Sequence, residues 1–473
     1  MQRFRYVAEL VQKRIDSGVI AAGDKLPSLR RLASETGFSV VTVYKAYELL
    51  ESQGICHSRD RSGFYVVNPA KFTSHRLSRQ MPVMPADDVR SLDDAVGRMQ
   101  FHLRASAAML PASGLVPDKG LIKGFRRALL QASVQGGNGV GEHPMLKTAI
   151  LQRASHRQVF TGHDQLLITR SSMEGFNLCL DSLSQGGAPV LVESPSYYPV
   201  LESLRHRRIK ALEIYSHPEY GVDPEQFEHI LKSTGVKLCV LMGANRLPTG
   251  VTYSRENLAG LVRAARQNQA IIIENDMAGE LGYSEFNSPS LKEFDHDDTV
   301  VQFGGTAAYL SSSYEIGWVL AGRHAAKLVG NRHLGGTNLP HIALQAALGE
   351  YLRGRQVERD LRQARHLLEG RMRQGVELLK SSFPGKIAVS TPNGGFMCWV
   401  RGGRRFDSMK LAMAAGRDAF DFIPGPFFSP AGSFTNFVAL NFSAEWTPVR
   451  VERLLHLVEQ MLSEPTLRRS EAQ

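Results

Sequence analysis

From about residue 113 to residue 465, short apolar runs alternate with longer stretches of amphipathic helical spacing. The runs include LLIT at 166–169, PVLVE at 189–193, KLCVLM at 237–242, AIIIE at 270–274 and TVVQFG at 299–304. Each run is followed by a helix-like segment, and this order is typical of a largely parallel sheet covered by helices. The pattern therefore predicts a large α/β domain.

Composition limits the class of protein further. Of the 473 residues, 43% are hydrophobic and 22% are charged, which is ordinary for a folded globular protein. This composition excludes a mostly disordered chain. No run approaches the ~18 apolar residues that a membrane helix needs, so an integral membrane protein is excluded as well. The four cysteines are far apart and form no C-x-x-C pair. We therefore expect no zinc knuckle or disulfide framework, a cytoplasmic location and no membrane partner.

The first 68 residues have a different organisation. Apolar spacing predicts a helix over 4–17, and Ser28 is a suitable N-cap for a second helix, LRRLASETG. Ser39 begins a third helix, VVTVYKAYELLESQG, after the short turn TGFS. Two helices joined in this way predict a helix-turn-helix. The following segment, ICHSRDRSGFYVV, is predicted to be a hairpin, or wing, with its tip at Arg59–Gly63.

Charge favours DNA as the partner of this module. Residues 1–80 hold 13 basic and 7 acidic side chains, a net +6 of the total +10. Arg30 and Arg31 are candidates for phosphate contacts, and the start of the third helix is the end that enters a major groove. That start contributes Ser39, Val41, Thr42 and Lys45, and the wing tip contributes Arg59 and Arg61. The alternative is a winged helix that makes protein contacts only, with its charges solvated; the charge asymmetry disfavours it.

The module resembles the winged-helix DNA-binding domain of the GntR superfamily of bacterial regulators. The matching segments are G-D-K-L-P-S-L-R-R-L-A, V-T-V-Y-K-A-Y-E-L-L-E-S-Q-G and S-G-F-Y-V. The resemblance implies that the residues facing DNA are Arg30, Ser39, Thr42, Tyr44, Lys45, Arg61 and Gly63.

The rest of the chain resembles a fold-type I aminotransferase. Matching segments include V-E-S-P-S-Y-Y, P-T-G-V-T, I-I-E-N-D-M-A-G-E-L, G-G-T-A-A-Y-L-S-S-S-Y-E-I-G-W and P-N-G-G-F-M-C-W. A GntR-type head on such a body is the architecture of the MocR regulators. The resemblance implies a three-layer α/β/α domain over 113–465, with a small α+β subdomain at about 345–465 and a linker over 69–112. It also implies a homodimer.

In the resembled family, pyridoxal phosphate (PLP) is bound by a Schiff-base Lys, and an Arg holds its phosphate. The pattern S-F-S-K-x-L-x-P-G-x-R-x-G-W can be laid on 304–318 without a gap. The Lys then falls on Ala308, which has no amine and cannot form an imine. The Arg falls on Glu315, whose charge would repel a phosphate dianion by several kcal/mol, taking ~5 Å and an effective dielectric near 20.

The other cofactor positions also differ from the family pattern. The Asp that pairs with the ring nitrogen falls on Asn275, with Asp276 next to it as a possible substitute after a one-residue shift. The ring Tyr falls on Ala278, or on Met277 with a shorter spacing. The family's Asn before P-T-G falls on Leu247, and its substrate-carboxylate Arg falls on Ala439. Because so many positions differ inside matching segments, no covalent cofactor is predicted.

One part of the cofactor site is kept in the sequence. Ser171 and Ser172 begin a helix whose N-terminus is an anion site in principle, and Thr306 adds a hydroxyl. Two alternatives stay open: a small anionic effector binds there, or the helix is capped without a ligand.

Taken together, the residues predict a DNA-binding regulator of MocR type with a non-catalytic body. The alternatives are a PLP-dependent aminotransferase with an accessory DNA-binding head, and a silent protein that keeps PLP non-covalently. The charged stretch at 353–374 is predicted to be a solvated helix face, with Leu361, Leu367 and Leu368 inward, rather than a second DNA contact.

Overall fold

The protein is described by a computed structural model. It covers residues 3–16, 20, 24–52, 55–59, 63–66, 108–112, 114–116, 119–135, 141–283, 288–310, 314–334, 339–403, 406–414 and 422–462. Among these residues, no helix is both long enough and apolar enough to cross a membrane.

The N-terminal module is a winged helix-turn-helix. Its elements are α1 (Arg3–Asp16), α2 (Leu29–Thr36), α3 (Val40–Ser52), β1 (Cys56–Arg59) and β2 (Gly63–Val66). The predicted cap of the second helix is confirmed, because Ser28 Oγ accepts a hydrogen bond from the Arg31 amide at 3.3 Å. The helix ends at Gly37, which has φ +71°. The strands β1 and β2 pair antiparallel, as a wing requires.

A third backbone segment pairs with the wing, and the sequence did not predict it. The amide of Leu26 donates to the carbonyl of Phe64, and that of Val66 to the carbonyl of Asp24, both at 2.8 Å. These bonds tie the turn before α2 to β2. Buried apolar side chains from all three helices and both strands form the core of the module.

The body is built on a mixed sheet. Its strands are β3 (Leu166–Thr169), β4 (Val190–Ser194), β5 (Ala211–His217), β6 (Gly221–Val222), β7 (Leu238–Leu241), β8 (Ile271–Asn275), β9 (Val300–Gly305) and β10 (Gly317–Leu320). Their order is β3-β10-β9-β8-β7-β4-β5-β6. The strands from β4 to β9 pair in parallel except at β6, and β10 runs antiparallel to both β3 and β9. The predicted parallel sheet is confirmed, whereas β10 was not predicted.

Helices cover both faces of this sheet. They are α4 (Lys119–Gln135), α5 (Pro144–His156), α6 (Ser172–Leu183), α7 (Tyr198–His206), α8 (Pro224–Thr234), α9 (Arg255–Gln267), α10 (Ala325–Leu334) and α11 (Ile342–Arg353). Successive strand residues enter different cores: Ile272 packs with α8 and α9, and Ile273 packs with the helices of the other face. This alternation is the period of two expected of a strand buried on both faces, and it gives the predicted three layers.

The C-terminal subdomain holds a smaller antiparallel sheet. Its strands are β11 (Ala388–Val389), β12 (Met397–Arg401), β13 (Phe422–Pro424) and β14 (Phe437–Asn441), in the order β11-β12-β14-β13. Its helices are α12 (Arg355–Ser382), α13 (Ser408–Ala414) and α14 (Pro448–Leu462). In α12, Leu361 and Leu368 are buried and Leu367 is half-buried, so the predicted inward face is confirmed.

Hydrogen bonds join the two subdomains of the body, and we call this contact the subdomain seam. It is defined by three backbone hydrogen bonds: from Asn393 to Gly250 (3.0 Å), from Gly395 to Leu281 (2.9 Å) and from Ser196 to Phe428 (2.8 Å). A carboxylate adds to it, because Ser429 Oγ lies 2.5 Å from Glu213 Oε1.

Most of the predicted linker, residues 69–107, lies outside the described residues. Its last residues contact the C-terminal subdomain: Asn441 Nδ2 donates to the carbonyls of Ala108 (2.8 Å) and Leu110 (2.7 Å). The amide of Ala112 donates to Ser443 Oγ at 2.7 Å. The packed body therefore includes residues 108–112.

Candidate functional site

The start of α3 presents a compact polar group. Ser39 Oγ accepts a hydrogen bond from the Thr42 amide at 3.2 Å and lies 2.9 Å from Thr42 Oγ1. Ser39 is thus the cap that the sequence predicted. Two exposed valines, Val40 and Val41, share this turn, with exposed fractions of 43% and 64%. Exposed valine on a helix start leaves apolar surface available to the methyl group of thymine.

The cations predicted to face DNA differ in how they are engaged. Arg31 Nε donates to Glu35 Oε1 at 2.9 Å, and Arg14 contacts the same carboxylate at 3.0 Å. These two bonds hold the pKa of Glu35 below its ordinary value. Arg30 and Lys45 are exposed, and the described part of the chain offers neither of them an ion-pair partner. Arg30 and Lys45 are therefore the better-placed charges for phosphate.

The remaining head residues are placed as follows. Tyr44 is half-buried, and its ring packs edge-on against Phe64 with centroids 6.4 Å apart. Gly63 is exposed at the start of β2 with φ +104°, a conformation that favours glycine. The predicted wing residue Arg61 lies outside the described residues.

Four of the positions compared with the cofactor site are apolar and buried. The exposed fractions of Leu247, Ala278, Ala308 and Ala439 are between 0% and 2%. All four belong to one continuous hydrophobic core, which also includes Tyr197, Trp399, Phe427 and Phe428. None of these four side chains therefore offers a hydrogen-bond partner or a charge to a polar cofactor.

Asn275 and Asp276, at the end of β8, have separate roles. Asn275 is 2% exposed, and its Oδ1 accepts from the Met277 amide at 3.1 Å. Its Nδ2 finds no hydrogen-bond partner among the described residues. Asp276 instead forms a buried two-point ion pair with Arg157, including an Nη2–Oδ1 distance of 2.8 Å. Arg157 also donates to the carbonyl of Ser288. The charge of Asp276 is thus already balanced.

The start of α6 is occupied by a carboxylate of the chain itself. Glu315 Oε1 accepts hydrogen bonds from the amide of Ser172 at 2.9 Å and from its hydroxyl at 3.0 Å. Ser171 Oγ accepts from the Glu174 amide at 3.0 Å. The predicted helix start is therefore confirmed, and the acceptor at Ser172 is Glu315, a contact that the sequence analysis did not predict.

Thr306 fixes the segment that carries Ala308 and Glu315. Its hydroxyl donates to the carbonyl of Tyr314 at 3.0 Å and accepts from the amide of Ile316 at 3.0 Å. In addition, the Leu310 amide donates to the Thr306 carbonyl at 2.8 Å. Thr306 thus holds the two ends of the segment together rather than presenting a free hydroxyl.

Lys292 is a buried lysine, but it lies at the wrong end of β9 to replace a lysine at position 308. Its Nζ donates to Asp295 Oδ2 at 2.8 Å and to the carbonyl of Val300, the first residue of β9, at 2.6 Å. Ala308 lies three residues beyond Gly305, the last residue of that strand. At about 3.3 Å per residue the ends of β9 are about 16 Å apart. Lys292 therefore lies at the opposite end of β9 from Ala308.

Buried ion pairs beside the site were not visible in the sequence. Glu280 makes a two-point pair with Arg153, with both N–O distances 2.9 Å, and a weaker contact with Arg365 at 3.4 Å. Arg153, Arg157 and Tyr309 line a cavity of about 30 Å³ between α5, α11 and the sheet. That volume holds one or two water molecules. In the described ranges, no group of His, Cys, Asp and Glu has the arrangement of a metal site.

Comparisons with known proteins agree with this architecture. The chain matches the family of bacterial regulatory proteins called the gntR family over residues 5–66, and aminotransferase class I and II over residues 114–424. It is 30% identical over 459 residues to the "Uncharacterized HTH-type transcriptional regulator YdcR" of Escherichia coli (strain K12), covering 94% of this chain and 96% of that protein. It is also 21% identical over 388 residues to the "HTH-type transcriptional regulator NorG" of Staphylococcus aureus, covering 80% of this chain and 86% of NorG.

Solved structures show the same fold for the body. The α-aminoadipate aminotransferase LysN from Thermus thermophilus, complexed with N-(5'-phosphopyridoxyl)-L-leucine, superposes with a TM-score of 0.68. It is 21% identical and covers 74% of this chain and 90% of LysN. The multiple substrate aminotransferase from Thermococcus profundus gives a TM-score of 0.67 at 20% identity, with coverage of 74% and 89%.

The fold and the family matches define a protein with a regulator-type winged-helix head and an aminotransferase-type body. The chain belongs to the aminotransferase class I and II family and carries a gntR-family domain at its N-terminus. It shares this complete arrangement with YdcR along almost its whole length.

Proposed function

We propose that the protein is a DNA-binding transcriptional regulator of MocR type, and that its body does not form a Schiff base with PLP. The head supports the first part, through a capped α3 with exposed apolar and basic side chains and an excess of positive charge. The relatives named as transcriptional regulators support it as well, because their similarity extends over head and body together. In such a protein the head contacts operator DNA in the cytoplasm.

The family implies PLP as cofactor, and the residues of this chain do not fit it. The observation that carries this conclusion is Ala308, which is 1% exposed within a continuous apolar core at the position matched to the Schiff-base lysine. Two further observations support it. Glu315 lies on the donors at the start of α6, and Asp276, the acid that follows Asn275 at the end of β8, is paired with Arg157.

We further propose that the body serves as a dimerisation platform. Two heads would then contact repeated half-sites one or more helical turns apart. A small anionic effector is a second partner to test, although the start of α6 is not free for it, because Glu315 binds there. These assignments give the body a role that needs no PLP chemistry.

Selection of binding sites from a random library of 30-base-pair duplexes tests the DNA-binding function. We expect the full chain to enrich one sequence. Arg30→Ala and Lys45→Ala should each weaken binding to that duplex and reduce the salt slope by about 0.9 for each lost phosphate contact. Lys327→Ala, an exposed lysine on α10, is the matched control and should change neither. The absence of any enriched sequence would refute the DNA-binding function.

Titration of the purified chain with PLP, followed by absorption before and after borohydride reduction, tests the second part. We expect no band at ~410–430 nm, the range of a lysine imine, and no reduced adduct. A stoichiometric adduct mapped to one lysine would favour the alternative, a PLP-dependent aminotransferase with an accessory DNA-binding head. PLP that binds without an adduct would favour the silent PLP-binding alternative.

A further inference from the structure

The N-terminus of α6 has the donors of an anion site, and a carboxylate of the same chain binds to them. The helix has 12 residues, Ser172–Leu183, and its first amides need acceptors because no preceding turn supplies carbonyls. Glu315 supplies one oxygen to both the amide and the hydroxyl of Ser172, at 2.9 and 3.0 Å. These are the kinds of donor, at the positive end of a helix, that bind phosphate in many proteins.

We infer that the Glu315 carboxylate replaces the phosphate of an external cofactor at this helix, so that the body folds with the anion site filled by its own chain. This inference goes beyond the proposed function, because it concerns how the body is completed without a ligand. It holds whether or not the head binds DNA.

Close packing around Ser172 leaves Glu315 as the group that completes the site. A Cβ added to Gly305 would lie 3.0 Å from Ser172 Cβ, and a Cβ added to Gly317 would overlap the carbonyl group of Ser171. Both glycines thus let β9 and β10 approach the first turn of α6 directly. Glu315 lies two residues before Gly317, the first residue of β10, so the start of this strand brings the carboxylate to the helix.

Residues around Glu315 also help to fix the position of its carboxylate. Tyr197 is buried, and burial together with the nearby charge of Glu315 raises the pKa of its hydroxyl. Thr306 closes the segment that bears Glu315 through bonds to Tyr314 and Ile316. A phosphate placed on Ser172 would therefore have to displace Glu315 from a segment that is held at both ends.

The test is thermal unfolding of the full chain, without PLP or DNA, with and without inorganic phosphate. Glu315→Ala removes the anion and should lower the Tm by about 1–3 °C, as expected for loss of a partly buried charge at a helix N-terminus in a body of this size. Saturating inorganic phosphate should bind the emptied site and recover most of that loss. The wild-type chain should show no comparable gain from phosphate. Glu225→Ala, an exposed first-turn glutamate of α8, is the matched control and should show no phosphate response.

A second variant keeps the test decisive if Glu315→Ala does not fold. Glu315→Gln retains an acceptor oxygen but loses the charge, so its Tm should fall by less and its phosphate response should again exceed that of the wild type. An unchanged Tm in the variants, or an equal gain from phosphate in wild type and variants, would overturn the inference. Because the assay contains neither PLP nor DNA, it is independent of the outcome of the two tests of the proposed function.

Discussion

The variant Ala308→Lys tests two descriptions of the body. Either the body keeps a PLP site that lacks only its lysine, or the positions of that site have become part of the hydrophobic core. Ala308 is 1% exposed and lies in the hydrophobic core that also contains Leu247 and Ala278. The Ala308→Lys chain should therefore fail to form an imine with PLP, because the new side chain would start from a buried position among apolar side chains.

The cost of Ala308→Lys follows from two terms. Inserting methylenes into a packed core costs about 1–3 kcal/mol. Burying a polar group without a hydrogen bond costs about a further 1–3 kcal/mol, and the amine is then expected to lose its proton. The total of about 2–6 kcal/mol should lower the urea midpoint by about 1–2 M at the usual dependence on denaturant.

Urea unfolding and PLP absorption spectra of the same preparation give the measurement. Ala265→Lys, at a fully buried position on α9, should be destabilised to a similar extent, and Ala326→Lys, at an exposed position on α10, should not. The reasoning would be refuted by an Ala308→Lys chain with the wild-type midpoint and a band at ~410–430 nm. That result would mean that the body lacks only the lysine for imine formation with PLP.

Three further predictions concern separate parts of the molecule. Burial alone would raise the pKa of Glu280, but Arg153 holds it below its ordinary value of 4.5. Its contribution to stability is therefore complete above about pH 4.5 and lost as the pH falls through the lower folded-state pKa, so Glu280→Gln should flatten the acid limb of a Tm–pH profile. Gly317→Ala should destabilise the body by about 1–3 kcal/mol in urea unfolding, because the methyl group overlaps Ser171; an unchanged midpoint would contradict the close approach. If Val41 contacts a thymine methyl, replacing that thymine by deoxyuracil should weaken wild-type binding about fourfold, the equivalent of ~0.8 kcal/mol, and should leave Val41→Ser binding unchanged.

Local chemistry explains which parts of the fold were predictable. The caps Ser28 and Ser39 and the stop at Gly37 act within three or four residues of their partners, so the sequence places the head helices almost to the residue. The apolar runs that became β3, β4, β7, β8 and β9 are equally local. By contrast β10, Gly317–Leu320, begins with a glycine and pairs antiparallel with β3 and β9, and no local pattern indicated that pairing.

The candidate site was only partly predictable, because its key contacts are long-range. Comparison with the family pattern locates Ala308, Asn275 and Glu315, but it describes each of them only as a loss. The contact of Glu315 with Ser172 spans 143 positions, and that of Arg157 with Asp276 spans 119. No periodicity or spacing connects residues so far apart, so their pairing becomes visible only in the folded chain.

The subdomain seam has a consequence for how the body unfolds. Its backbone bonds join the loops that follow the central strands β4, β7 and β8 to the small subdomain, and each is between 2.8 and 3.0 Å long. A buried amide that is hydrogen-bonded in this way exchanges only when the structure around it opens. The amides of Ser196 and Gly395, which are both buried residues, should therefore exchange hydrogen with water as slowly as amides inside the sheets. Under heat or denaturant, the body should lose both subdomains in one cooperative step.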